Sequence, residues 1–189
     1  MNINPQYHKT KEQIHSEQQL VEYAKVDSKD FKPLYNQYYE IVYRFVFQRT
    51  GNEDLTSEVV SNVFFKVLKN LGKYEFRGLP FSSWVLRIAH NETVKAFRKG
   101  NDKRVVRLET EHLQNLMSEE ADTYFEELKP ALLSALKTLK EGDMQLIEMR
   151  FFEGRPFKEM ADILEKKESA IKMKVYRILE KLKISLRRN

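Results

Sequence analysis

Apolar side chains in this sequence recur at steps of three and four residues almost from end to end. Nowhere do they alternate with polar ones over the length of a strand, so the chain is expected to be all-α. The clearest run is Leu55, Val59, Val63, Val67 and Leu71, with Val60, Phe64 and Leu68 in a second row beside it. Asn52 stands where an N-cap is needed, and Glu53 and Asp54 follow in the first turn, where acidic groups complement the helix dipole. Gly72 is the expected stop. Before it, residues 31–49 place Phe31, Leu34, Tyr35, Tyr38, Tyr39, Val42, Phe45 and Val46 on one broad helical face, broken at Gly51-Asn52. After a loop at 73–80, a third helix is expected over about 81–99, with Trp84, Ile88 and Ala89 inward and Gly100 closing it. The last third reads as short helices over about 130–139, 143–153, 157–164 and 168–186.

The 189 residues correspond to one or two domains at the usual ~150 residues each. An apolar content of 41% is sufficient for a packed core without staples. Cysteine is absent, which excludes disulfides, thiolate metal sites and a cysteine nucleophile. No secretory signal and no stretch approaching ~20 apolar residues is visible, so a cytoplasmic location is expected. His8, His15, His90 and His112 show no metal-ligand spacing, and there is no phosphate-cradling glycine loop. The chain is therefore expected to be neither an enzyme nor a binder of a metal, cofactor or small-molecule substrate.

Charge divides the chain. Residues 1–105 carry 17 basic and 12 acidic side chains, 106–128 carry 1 and 7, and 129–189 carry 15 and 9. Two basic lobes joined by an acidic strap are expected: two small helical domains, each facing an anionic partner, with a tether that avoids one. A solvated acidic linker fits the same numbers.

Within the second basic lobe the pattern is that of a helix-turn-helix. From Phe157, Met160 and Leu164 fall inward, Ala161 sits where two helices cross closely, and Ile171 and Val175 face in from the second helix. The outward face of that helix carries Ser169, Lys172, Met173, Lys174, Tyr176 and Arg177. Long donors on one side and branched aliphatics on the other suit a helix laid in a DNA major groove; a basic amphipathic helix on an ordinary bundle has the same pattern. Glu165 occupies a turn position where glycine commonly supplies a positive φ, so strain is expected there. Lys166 stands where an aliphatic wedge is usual.

Within the first lobe, Tyr74, Phe76, Arg77, Phe81 and Trp84 mix aromatic faces with a cation, a combination that can hold unstacked bases. Downstream, Arg87, Asn91, Lys95, Arg98 and Lys99 form a polar, largely basic stripe suited to phosphates. Trp84 reads more readily as a core anchor than as a base platform, and the loop is the better candidate for contact.

The order of these features resembles a known family. The helix from Leu55 to Leu71, then Phe76-Arg77-Gly78, then the helix opening Phe81-Ser82-Ser83-Trp84 and continuing through Ile88-Ala89-His90-Asn91, is similar to region 2 of the extracytoplasmic-function (ECF) sigma factors of the sigma-70 family. Residues from Leu146 to Leu179, including Phe152-Glu153-Gly154, resemble region 4. The resemblance implies region 2 over 31–105, an acidic linker over 106–128 and region 4 over 129–189; residues 1–30 lie outside it as an N-terminal extension. It implies a factor that binds core RNA polymerase, recognises the −35 and −10 promoter elements and promotes melting. Region 2 would hold a flipped base in the loop 73–80 and contact the −10 element through Lys73, Tyr74, Phe76, Arg77, Arg87, Asn91, Lys95 and Arg98. Asp54, Ser57, Glu58, Ser61 and Asn62 would dock on the β′ clamp helices. Region 4 would read the −35 element through Ser169, Lys172, Met173, Lys174, Tyr176 and Arg177 and rest on the β flap. The linker would thread toward the active centre and the RNA exit channel. The resemblance also implies an anti-sigma factor, often membrane-anchored, and association with the nucleoid during initiation. The competing reading is a stand-alone helix-turn-helix regulator that binds duplex DNA as a dimer, without polymerase.

Overall fold

The computed structural model describes residues 10–100 and 125–187. These are helical, with no strand among them. They form two units, the first built from α1 to α4 and the second chiefly from α5 to α8. Most of the acidic segment 106–128 lies outside the described residues.

In the first unit the helices are α1 (Lys11–Val26), α2 (Lys32–Thr50), α3 (Glu53–Asn70) and α4 (Phe81–Gly100), with a 3-10 turn at Ser28–Phe31 and another at Leu71–Lys73. The turn between α2 and α3 follows from its sequence. Gly51 closes α2 with φ 62°, and its amide bonds the Phe47 carbonyl at 2.8 Å. Asn52 then caps α3, its Oδ1 accepting from the Leu55 amide at 2.9 Å. The hydroxyls of Thr50 and Thr56 lie 2.6 Å apart across the turn and are buried. Leu34, Val42 and Val46 of α2, Val63 and Val67 of α3, and Leu86 and Ala89 of α4 are completely buried. Each such large aliphatic contributes about 1.5–3 kcal/mol by leaving water. Lys66 of α3 is paired with the buried carboxylate of Glu92 on α4.

Helix α1 has no counterpart in the sequence reading. Thr10 and Gln13 form a capping box at its start, with bonds of 3.2 Å and 2.8 Å. Val21 and Ala24 face the core. The end of α3 also differs from expectation: Gly72 does not stop it, and the backbone runs through a 3-10 turn that buries Leu71.

The second unit contains α5 (Phe125–Lys137), α6 (Glu141–Ile147), a π-helical turn at Glu148–Phe152, α7 (Phe157–Ile163) and α8 (Glu168–Arg187). Pro130 was expected to open the first of these, since proline suits a helix's first position. Instead α5 begins at Phe125 and passes through Pro130, forgoing one backbone hydrogen bond there. The single helix expected over 143–153 is α6 followed by the π turn, where the Glu153 amide reaches the Glu148 carbonyl at 2.9 Å. Gly154 then reverses the chain at φ 66°. The reversal carries Arg155 inside, where it is 1% exposed, paired with Glu153 and lying 3.5 Å from Glu159. Leu132, Ile147, Met149, Met160 and Ile171 of this unit are also buried.

Glu165 has φ 53°, and it is the one non-glycine residue with positive φ among those described. The left-handed region costs an L-residue about 1–2 kcal/mol. Glu165→Gly should therefore raise stability by about 1 kcal/mol, read as a higher urea midpoint at unchanged slope; an unchanged or lower midpoint would count against the strain.

Candidate nucleic-acid interface

Helix α8 presents Ser169, Lys172, Met173, Lys174, Tyr176 and Arg177 to solvent, while Ile171, Val175, Ile178 and Leu182 are buried beneath them. Two rows at helical spacing thus separate a contact face from a packing face. The contact face is not uniform. Lys174 Nζ lies 2.8 Å from Asp143 Oδ1 on α6, so that ammonium already has a carboxylate partner. Tyr176 stands beside Phe157 with ring centres 6.4 Å apart, and the Arg150 guanidinium lies 4.6 Å from the Phe157 ring centre. Long-reach basic groups remain at Lys172 and Arg177.

On α4, Asn91, Lys95, Arg98 and Lys99 are exposed and Arg87 is half-buried, at the three- and four-residue steps of one stripe. In the loop before it, Lys73, Phe76 and Arg77 are exposed, with Phe76 41% so. Gly78 turns the backbone at φ 69°, a conformation that suits glycine. An aromatic ring and a guanidinium at a loop tip, beside a basic stripe, can stack on a base and pair with phosphates.

Tyr74 does not join that surface. Its residue is buried, with ring centres 5.0 Å from Phe81 in an edge-on contact and 5.2 Å from Trp84. Burial, reinforced by the negative charge of Glu17, pushes its phenol up to about 12. Tyr74 is therefore a core aromatic beneath the loop, and its assignment to −10 DNA contact is corrected on that ground. The sequence places it among alternating aromatic and charged residues, and only tertiary packing decides which ring turns inward. Phe81 and Trp84 belong to the same cluster, joined by Tyr38, whose ring centre is 5.6 Å from that of Phe81.

The third surface is the outer side of α3. Asp54, Ser57, Glu58, Ser61 and Asn62 are all exposed. The same side continues into Phe65 and Leu68, 65% and 42% exposed. Leu68 was expected in an inward row and Phe65 had no assigned place. The available signal was that Phe65 falls three and four residues after Asn62 and Ser61, off both apolar rows. Its neighbour Phe64 is buried under Tyr35 and Tyr39, with ring centres at 4.6 Å and 6.1 Å. A polar, acidic start followed by two solvent-facing apolar side chains is a surface suited to a protein partner.

With the three surfaces in place, comparison with known proteins gives a consistent result. A family model described as Sigma-70 region 2 matches residues 34–103, and one described as Sigma-70, region 4 matches residues 129–182. The chain is 30% identical over 171 residues to "ECF RNA polymerase sigma factor BldN" of Streptomyces coelicolor, covering 87% of this chain and 63% of that protein. It thus spans less than two thirds of that relative's length. It is 26% identical over 160 residues to "ECF RNA polymerase sigma factor SigX" of Bacillus subtilis, covering 81% of each. Its fold is similar to that of CnrH, solved in complex with the cytosolic domain of CnrY, with a TM-score of 0.60 at 19% identity over 92% of this chain and 99% of that one. With both regions matched in order along one chain, and with relatives from the same group, this protein belongs to the sigma-70 family of RNA polymerase sigma factors, in its extracytoplasmic-function group.

Proposed function

We propose that this chain is an alternative sigma factor that binds core RNA polymerase, recognises −35 and −10 promoter elements and promotes melting for transcription initiation. The observation that carries this reading is the pairing, in one chain, of a region 2 and a region 4 match, each with an exposed basic face. In this reading residues 31–105 bind polymerase and the −10 element, 106–128 form the acidic tether, and 129–189 bind the −35 element. The outer side of α3 docks on the β′ clamp helices, and Phe76 and Arg77 meet the displaced strand. An anti-sigma factor would hold the protein inactive by covering the same polymerase-binding surfaces.

The energetics follow from the layout. Two modules of modest DNA affinity held on one polymerase make the second contact intramolecular, so effective concentration strengthens the pair. Each flipped base costs a few kcal/mol of unstacking, which contacts at the loop and the polymerase must offset. The chain's part is binding and positioning, with no covalent step.

Lys172, Lys174 and Arg177 of α8 should separate in a salt titration. Lys172→Ala and Arg177→Ala are each expected to reduce the salt slope of −35 DNA binding by about 1. Lys174→Ala should reduce it by less, because Asp143 already neutralises that ammonium. Equal losses at all three positions would count against the Asp143 pairing in the bound state. The test of the reading as a whole is co-elution of the purified chain with core polymerase. Binding to duplex DNA as a dimer, without co-elution, would favour the stand-alone regulator.

A further inference from the structure

Helix α4 starts directly after Pro80, and proline has no side-chain acceptor for the orphan amides of a first turn. The Ser83 amide is satisfied locally, by the Pro80 carbonyl at 2.9 Å. The Phe81 amide instead donates to Glu17 Oε2 at 3.0 Å, from a helix 64 residues earlier in the chain. Glu17 is 4% exposed and Phe81 2%. A carboxylate at this place also faces the positive end of the α4 dipole. Two turns further along α1, Lys25 places its ammonium 5.6 Å from the centre of the Tyr74 ring. Helix α1 thus touches both ends of the loop 73–80, Tyr74 at one and Phe81 at the other, while Phe76 and Arg77 between them stay exposed. It does so from residues that precede the segment matching region 2, which begins at 34.

We propose that Glu17 is a positioning residue for promoter opening: by capping α4 at Phe81 it fixes the loop 73–80 in the geometry that captures an unstacked base. The proposal rests on the sigma-factor reading above. A loop anchored at both ends loses little freedom when a base stacks on it, whereas a loosened loop must be ordered at that moment, and the ordering is subtracted from the capture energy. Glu17 touches neither DNA nor polymerase in this scheme. It acts through the Phe81 amide.

The test uses the full chain with Glu17→Ala and Glu17→Gln, and a promoter found by mapping initiation with the wild type. Three quantities are read: hydrogen exchange at the Phe81 amide, affinity for core polymerase, and initiation from duplex promoter against promoter pre-melted across the −10 element. In Glu17→Ala the Phe81 amide should exchange about tenfold faster and duplex initiation should fall about tenfold, the size of a lost cap. Core affinity should be unchanged, and initiation on the pre-melted template, where capture no longer has to drive melting, should fall much less than on the duplex. Glu17→Gln keeps an acceptor and should lie between Glu17→Ala and the wild type in both exchange and duplex initiation. If Glu17→Ala loses core binding and both template activities in proportion, Glu17 merely folds the unit and the proposal fails. It fails equally if exchange rises and duplex initiation does not fall. A wild type that neither binds polymerase nor initiates overturns the sigma reading and this role with it, whereas a wild type that initiates beside an indifferent Glu17→Ala overturns the role of Glu17 alone.

Discussion

Arg155→Ala is expected to destabilise the second unit by about 3–5 kcal/mol, the usual cost of removing one partner from a buried ion cluster. The guanidinium is 1% exposed and sits between Glu153 and Glu159, which are 3% and 4% exposed. Without it, two carboxylates remain in the interior with one countercharge fewer, and they must either take up protons or open the packing. The cluster also holds the reversal at Gly154 that leads into α7, whose Phe157 ring stands beside Tyr176 of α8, so its loss reaches the exposed face of α8. The measurement is urea unfolding followed by far-ultraviolet circular dichroism. Fluorescence is the less informative probe, because the chain has 1 tryptophan and Trp84 lies in the first unit. An Arg155→Ala protein with an unchanged midpoint would show that the cluster is not under electrostatic tension.

The second large effect is on association. Phe65→Asp should weaken binding to core polymerase by about 30-fold or more, the scale of an interface hot spot of 2 kcal/mol. Thermal stability should stay the same, because the ring is 65% exposed in the free protein. Leu68→Asp should act in the same direction by a smaller factor, given its smaller side chain and lower exposure. A titration of labelled chain with core polymerase, beside a melting curve of each variant, separates the two quantities. Wild-type affinity in Phe65→Asp would remove this side of α3 from the polymerase interface.

Local rules made much of this molecule legible in sequence. Gly51-Asn52 stops one helix and caps the next because glycine tolerates the left-handed region and a short amide reaches its own helix's amides. The aliphatic period of α3 and the buried row Met160, Ile171 and Val175 follow from helical geometry alone. The positive φ at Glu165 was readable because helix-turn-helix geometry demands that backbone shape of whichever residue stands there.

What was not legible depends on contacts distant in sequence. Nothing near Glu17 announces that its partner is the Phe81 amide. Helix α1 went unread, because its buried positions Val21 and Ala24 stand in polar surroundings that hide the apolar face. Tyr74 and Phe76 are the same kind of residue two positions apart, and only the tertiary position of Trp84 and Phe81 turns one ring inward and leaves the other out. Likewise Lys174 reads as a free cation until α6 brings Asp143 beside it. Pro130 misled in the opposite direction: a signal that usually marks a helix start lies here inside one.

The central claim, that this chain directs core RNA polymerase to promoters, is tested most directly by reconstitution. Core polymerase with and without the purified chain would be assayed for run-off transcription on genomic fragments, with transcript 5′ ends mapped. The account predicts transcripts from discrete start sites only when the chain is present, sharing −35 and −10 sequences upstream. Core polymerase whose start sites are the same with and without the chain would contradict it.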